Sequence, residues 1–190
     1  MQVHTIAPTP TTSLPLRRPH RRPPTSSSSS STTTTTSTSD ADLDSRGFAL
    51  HRTITGLDLD ALNNVFARVG FPRRDPRKIM KALQHTPSLV WVAHREMPVA
   101  FARATGDGVF NAVVWDVVVD PSYQGIGLGR VVMERLIEEL VGRGITNISL
   151  FAEPKVVGFY RPLGFAADPD GVKGMVYSRK QMRPQQKRRW

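Results

Sequence analysis

Two hydrophobic periods alternate along this chain, and their order predicts its architecture. Phe48-Ala49-Leu50-His51-Arg52-Thr53 switches between apolar and polar residues with the period of a half-buried strand. Leu57, Leu59, Leu62, Val65, Phe66 and Val69 recur at helical spacing, and Gly70 and Pro72 end that helix. A second helix is predicted over Pro76 to Gln84, with Ile79, Met80 and Leu83 on one face. After Pro87 come three strand-like runs: Leu89 to His94, Val99 to Ala104, and Phe110 to Val119. Arg95-Glu96-Met97-Pro98 and Gly106-Asp107-Gly108 separate them with turn chemistry, so the runs read as hairpins. Gly129 to Val141 is an amphipathic helix that buries Val132, Met133, Leu136, Ile137, Leu140 and Val141, and Gly142 and Gly144 end it. Asn147 to Phe151 follows as a strand parallel to Phe110–Val119, reached by a right-handed crossover. A short helix from about Val156 to Pro162 and a hairpin around Phe165 and Met175 to Tyr177 complete the pattern.

Composition sets the ends apart from this core. Residues 1–39 hold no Asp or Glu, carry Arg17, Arg18, Arg21 and Arg22, and include the low-complexity run Ser26 to Ser39. Such a segment buries too little apolar surface to offset chain entropy, so residues 1–40 read as a disordered leader. Its Arg- and Ser/Thr-rich, acid-poor character is that of a chloroplast transit peptide. The formal charge of +10 misleads as a hint of nucleic-acid binding. Four of the excess cations lie in the leader and six (Arg179, Lys180, Arg183, Lys187, Arg188, Arg189) in a basic tail, residues 179–190, which leaves the core near neutrality. A nucleic-acid-binding domain carries its basic stripe on the folded surface, so no nucleic-acid partner is expected. No apolar stretch approaches the roughly 20 residues of a membrane span. The absence of cysteine excludes disulfides, a thiolate metal site and a cysteine acyl relay. The five histidines have no metal-ligand spacing, and no metal is expected.

The chemistry sits where the strand Phe110–Val119 turns into the amphipathic helix. There Asp120-Pro121-Ser122-Tyr123-Gln124-Gly125-Ile126-Gly127-Leu128-Gly129-Arg130 forms a Gly-rich turn at a helix N-terminus. Free N–H groups and close backbone approach suit a pyrophosphate. A dinucleotide fingerprint fails because Arg130 occupies its last glycine position, and no Gly-Lys-Ser/Thr of a P-loop occurs. What remains is Gln-x-x-Gly-x-Gly, carried by Gln124, Gly127 and Gly129. This resembles the acetyl-CoA pyrophosphate loop of the GNAT superfamily of N-acetyltransferases. A second signature, Phe159-Tyr160-Arg161-Pro162-Leu163-Gly164-Phe165, resembles that family's Phe-Tyr-x-x-x-Gly-Phe element. The predicted order of elements over residues 48–178 is the family's as well.

The resemblance implies an α/β (α+β) GNAT fold over residues 46–178. Its mixed central sheet would have about six to seven strands, splayed at the cofactor site and flanked by about four helices. It implies acetyl-CoA as co-substrate, with backbone groups of Val117, Val118 and Val119 along the pantetheine arm, although such a run is also what a buried central strand looks like. The N–H groups of Gly125, Ile126, Gly127, Leu128, Gly129 and Arg130 would hold the pyrophosphate. Tyr160 would lie at the thioester and act as general acid, a phenol with an ordinary pKa of about 10 being able to protonate a departing thiolate. Asp116, a carboxylate inside an apolar run, is the candidate base for the amine; a structural aspartate bonded across the strands is the alternative. Trp115 alternates to the opposite face, which suggests core packing, or an acceptor wall if the strand is bulged. Asn147 and Glu153, at either end of the next strand, are secondary candidates for cofactor and acceptor contacts.

Trp115 to Gly129, with Phe151-Ala152-Glu153-Pro154, is especially similar to plant plastid members of the family, the serotonin N-acetyltransferases. That likeness implies direct acetyl transfer to an arylalkylamine such as serotonin or tryptamine, in the plastid stroma. Acetylation of plastid protein lysines or N-termini, and a catalytically silent acetyl-CoA-binding domain, stay open as alternatives.

Overall fold

The computed structural model describes residues 38–167 together with 171, 174 and 175. The elements run α1 (Asp40–Ser45), β1 (Phe48–His51), α2 (Leu59–Arg68), α3 (Pro76–Gln84), β2 (Ser88–His94), β3 (Met97–Gly106), β4 (Asn111–Val119), α4 (Leu128–Gly142), β5 (Asn147–Leu150) and α5 (Val157–Tyr160). The five strands form one sheet in the order β1-β2-β3-β4-β5, antiparallel except for the parallel pair β4–β5.

Each strand's alternation feeds two cores. Val90 and Val92 of β2 point to α4, where Val131, Val132, Met133, Leu136 and Leu140 are buried. Leu89, Trp91 and Ala93 point the other way, against Leu62, Val65 and Phe66 of α2 and Ile79 and Leu83 of α3. Helices on both faces make β2 apolar throughout, as a central strand covered on two sides must be. The helix starts follow from their caps. The Asp58 carboxylate accepts from the N–H groups of Asp60 and Ala61, and that of Asp75 from Arg77, next to Pro76 in the first turn.

Three features differ from the sequence expectation. First, α1 lies at residues 40–45, between the expected leader and the expected start of the domain. Ser39 and Asp42 form a capping box, and Leu43 is buried in the α4 core. The rest of the expected leader, and the tail, lie outside the described residues. Second, the helix expected over 156–162 is broken into a 3-10 turn at Pro154–Val156, the single turn of α5, and a 3-10 turn at Arg161–Leu163. Pro154 and Pro162 each lack an N–H, which prevents one continuous helix. Third, the described residues form a sheet of five strands where six or seven are expected, and most of the expected last hairpin lies outside them. Phe165 closes a turn instead, its N–H bonded to the Tyr160 carbonyl at 3.3 Å after the left-handed Gly164 (φ +93°). Met175 is in no strand, and Val176 and Tyr177 lie outside the described residues.

Candidate active site

Strands β4 and β5 part company halfway along β4. Their pairing runs from Asn111↔Asn147 to Val114↔Leu150, but β4 continues to Val119 while β5 ends. On that side the backbone from Trp115 to Val119 faces a cleft instead of a strand. The cleft has a volume of about 770 Å3; Val117, Val118, Val119 and Gln124 line one part, Leu150, Phe151, Glu153 and Tyr160 the other side, and Phe71, Pro72, Arg74 and Trp115 the mouth nearest α2.

The splay coincides with a bulge. Phe101 pairs with Val118 and Arg103 with Trp115, so Ala102 faces two residues, Asp116 and Val117. Asp116 takes φ +52°, a left-handed conformation unusual for a residue with a side chain. The extra residue changes which face the later side chains take: Val114 packs in the α4 core, but Val118, four residues on, packs against α2 and α3. Trp115, expected in the core, is 39 % exposed and lines the cleft, with its indole N–H donating to Thr105 Oγ1 at 2.8 Å and its ring 5.9 Å from Phe151. Trp115 therefore lies on the cleft surface, next to the bulge, and not in the core.

The bulge is held by charge. Asp116 Oδ1 accepts from Arg74 Nη2 at 3.0 Å, and Oδ2 accepts from Arg74 Nη1 at 3.1 Å and Arg103 Nε at 2.7 Å. Burial opposes ionisation of this carboxyl, but the hydrogen bonds and charges of Arg74 and Arg103 outweigh it and hold its pKa below the ordinary value. Arg74 belongs to the loop between α2 and α3. It is locked to α2 by Asn63, whose side chain donates to the Arg74 carbonyl (2.7 Å) and accepts from its N–H (3.0 Å). Sequence reasoning missed both arginines, although Arg103 stands out in the apolar run Val99–Ala104 as plainly as Asp116 does in its own. Asking which cation answers a buried aspartate would have paired them.

Past Val119, the side chain of Asp120 is buried; its Oδ1 accepts from Ser122 N–H at 2.9 Å and so starts the turn Pro121–Tyr123. Arg68, at the end of α2, donates to Asp120 Oδ2 at 2.5 Å and to Ser122 Oγ at 2.8 Å. Helix α2 is thus tied to the beginning of the Gly-rich loop. Gln124 braces that loop through its side-chain amide, which donates to the Val119 carbonyl at 3.0 Å. Gly125 (φ +78°) and Gly127 (φ +94°) then turn the backbone left-handed, and Gly127 leaves α4 without a side-chain cap. The first-turn N–H groups of Leu128, Gly129 and Arg130 therefore remain for an anion. A Cβ on Gly129 would sit 3.3 Å from Val119 Cγ2 and 3.4 Å from Phe159 Cζ, so the bare backbone lets loop, strand and α5 close up. Leu128 is buried and anchors the loop, Ile126 is 42 % exposed, and the Arg130 Nε donates to Glu134 at 2.6 Å. An unpaired strand edge leading to an uncapped, glycine-built helix start fits an extended amide chain that ends in a pyrophosphate.

Tyr160 lies on the opposite wall of the cleft, its ring packed edge-on to Phe159 and Phe165. Burial raises its pKa above 10.0, so the phenol stays protonated across the neutral range. Glu153 also lines the cleft and pairs with Lys155 at 2.8 Å, both side chains being exposed. Asn147 is not part of this site. It opens β5 at the end away from the splay, where its side chain donates to Asn111 Oδ1 at 2.5 Å. The strand runs from Asn147 toward the cleft, so the residues beyond its far end, not its first one, reach the site.

Comparison with known proteins agrees with this geometry. The profile of the acetyltransferase (GNAT) family matches residues 57–165. The chain is 68 % identical over 145 residues to the GCN5-related N-acetyltransferase 1, chloroplastic, of Arabidopsis thaliana, covering 75 % of this chain and 74 % of that protein. It is 61 % identical over 145 residues to the serotonin N-acetyltransferase 2, chloroplastic, of Oryza sativa, covering 74 % and 72 % respectively. Among solved structures, a probable acetyltransferase of Staphylococcus aureus superposes with a TM-score of 0.62 at 19 % identity, over 69 % of this chain and 98 % of its own, and so shares the fold. Splayed strands, Gly-rich loop and sequence relationship converge, and the chain belongs to the GNAT family of acetyltransferases.

Proposed function

We propose that this acetyltransferase moves an acetyl group from acetyl-CoA directly to the primary amine of an arylalkylamine of the serotonin or tryptamine type. The observation that carries the reading is the cleft that opens where β4 leaves β5, with the Gly-rich loop at one end, Tyr160 on one wall and the Trp115–Phe151 pair at the mouth. Acetyl-CoA supplies the acyl group as an activated thioester. The edge of Val117–Val119 would pair with its pantetheine amides as an added strand does. N–H groups from Gly125 to Arg130 would hold its pyrophosphate at the positive end of α4. Tyr160 donates the proton that the departing sulfur needs, and burial keeps that proton available. Trp115 and Phe151 offer flat apolar faces to an aromatic acceptor. The name of the rice relative, a serotonin N-acetyltransferase, supports the same acceptor class.

Asp116 changes role in this proposal. A carboxylate gripped by two guanidinium groups has little basicity left, so Asp116 is assigned to positioning: it holds the bulge beside Trp115 at the cleft. Of the two carboxylates on the cleft wall, Glu153 is assigned to the amine proton, because among the described residues its one ion pair is with the exposed Lys155. The chloroplastic relatives and the Arg- and Ser/Thr-rich leader support a plastid location.

Incubating the full chain with acetyl-CoA and serotonin, tryptamine, lysine peptides or N-terminal peptides, and following CoA release, tests the reading. Turnover of the indole amines well above the peptides is the expected result. A preference for peptides would move the assignment to protein acetylation at the same residues, and binding of acetyl-CoA without transfer to any amine would mark a silent domain.

A further inference from the structure

We infer that the exposed basic face of α3 is a docking surface for an acidic stretch of a polypeptide, which it brings to the mouth of the adjoining cleft as a second class of amine acceptor. The inference rests on the acetyltransferase reading above and extends it. Arg77, Lys78 and Lys81 fall on one side of α3, and the buried Ile79 and Leu83 fall on the other. All three cations are exposed, and none has a carboxylate partner among the described residues. The nearest acid in sequence, Asp75, uses its carboxylate to cap the helix.

The stripe is continuous with the active cleft. Lys78, Arg74, Arg103 and Asp116 line one small cavity of about 60 Å3, and Arg74 and Asp116 line the large cleft as well. Two guanidinium groups surround the single Asp116 carboxylate, so the wall shared with the cleft keeps a positive excess. Around a core that is near neutrality overall, this concentrates positive potential beside the acceptor mouth.

Charge complementarity selects the occupant. A small amine is itself a cation and gains nothing from the stripe. The phosphates of acetyl-CoA belong at the start of α4, which packs on the other sheet face from α3. A nucleic acid would ask for a longer basic track and exposed aromatic rings for stacking; from Arg77 to Lys81 the stripe rises only about 6 Å, and Pro76–Gln84 holds no aromatic residue. Two or three Asp or Glu side chains flanking an acceptor lysine or N-terminus match its length and sign.

The test uses the full chain and equal-length peptides that share one acceptor amine and differ only in flanking Glu, Gln or Lys. At low ionic strength kcat/KM for the Glu-flanked peptide is expected to exceed that of the Gln-flanked one by about tenfold, and the gap should close at high salt. The doubly reversed R77E/K81E protein should lose that preference while its kcat with serotonin is unchanged; R77Q/K81Q, free of new charge, should lose it too. Fluorescence anisotropy of labelled peptides reads the same ranking without catalysis, so absence of acetyl transfer would count against the transferase reading and leave docking to be decided by binding. Equal constants for the three peptides, a preference that survives charge reversal, or a single-stranded oligonucleotide that binds the wild-type chain more tightly than the Glu-flanked peptide would overturn the inference.

Discussion

Tyr160 and Asp116 stand on opposite sides of the cleft, and their environments push their chemistry apart. Burial raises the phenol's pKa, so replacing it should remove a proton donor rather than a charge. Tyr160→Phe keeps the ring contacts with Phe159 and Phe165. It should lower kcat by about 10²-fold, with the acetyl-CoA KM and the melting temperature nearly unchanged; steady-state kinetics beside a thermal melt checks this. Asp116→Asn should behave differently. The carboxylate is ionised throughout the neutral range, so the variant should lose the same factor of kcat/KM at every pH between about 6 and 9. A loss concentrated at low pH would return Asp116 to the role of base. The substitution also leaves Arg74 and Arg103 short of their counter-charge, at a cost of about 2 kcal/mol given that Arg74 is partly exposed. The linkage has a definite sign. A folded pKa held below the ordinary 3.8 contributes stability that is present above that value and is lost as pH falls through the folded pKa. Acid unfolding of Asp116→Asn should accordingly be shallower than that of the wild-type chain.

The loop from Gln124 to Gly129 acts as one element, and its glycines do separable work. Gly127 holds φ +94°, and a Cβ there would meet nothing within 4 Å, so Gly127→Ala costs only backbone strain, about 1 kcal/mol of stability. The same strain tilts the N–H groups that open α4, and the acetyl-CoA KM should rise about tenfold for each 1.4 kcal/mol of binding lost, with kcat at saturation much less affected. Isothermal titration with CoA would read that loss directly, and an unchanged affinity would remove the loop from the pyrophosphate site. This element was legible in the sequence because its spacing is local: Gly-x-Gly after an apolar strand needs no knowledge of the rest of the fold. Helices α2, α3 and α4 and the first strands are legible for the same reason. The bulge was not. Alternation along β4 put Trp115 in the core, and only the pairing with β3 reveals that Ala102 faces two residues. Nor was the clamp on Asp116, which joins residues 42 and 13 positions apart in the chain. Nor does the sequence show which end of β5 reaches the cleft: Asn147 opens the strand at the end paired with Asn111, away from the splay.

At the scale of the whole molecule, the unexpected α1 ties the start of the described chain to the helix that follows the Gly-rich loop. Leu43 is 1 % exposed in the α4 core, and Arg135 of α4 reaches back to Asp40 Oδ1 at 2.7 Å and to the Thr38 carbonyl at 3.0 Å. Six residues whose only apolar side chains are Ala41 and Leu43 give no period by which the sequence could show this helix. Its stability comes from tertiary packing, since so short a helix does not persist alone. The ion pair adds little, as the Asp40 side chain is 58 % exposed; Leu43 supplies the larger share. Leu43→Ala should therefore cost about 2–4 kcal/mol and lower the melting temperature by roughly 10 °C, whereas Asp40→Asn should move it by no more than about 2 °C. The two effects on function follow from where α4 leads. Its buried stripe begins with Leu128, inside the Gly-rich loop, so loosening the α1 contact at Arg135 acts on the same helix that presents Gly127 to Arg130. Far from the unfolding transition that helix stays intact, and Leu43→Ala should retain wild-type kcat and KM at about 20 °C while inactivating at a lower temperature. A raised acetyl-CoA KM in the still-folded variant would instead mean that α1 sets the position of α4, and that the cofactor site extends its dependence to the first helix of the domain.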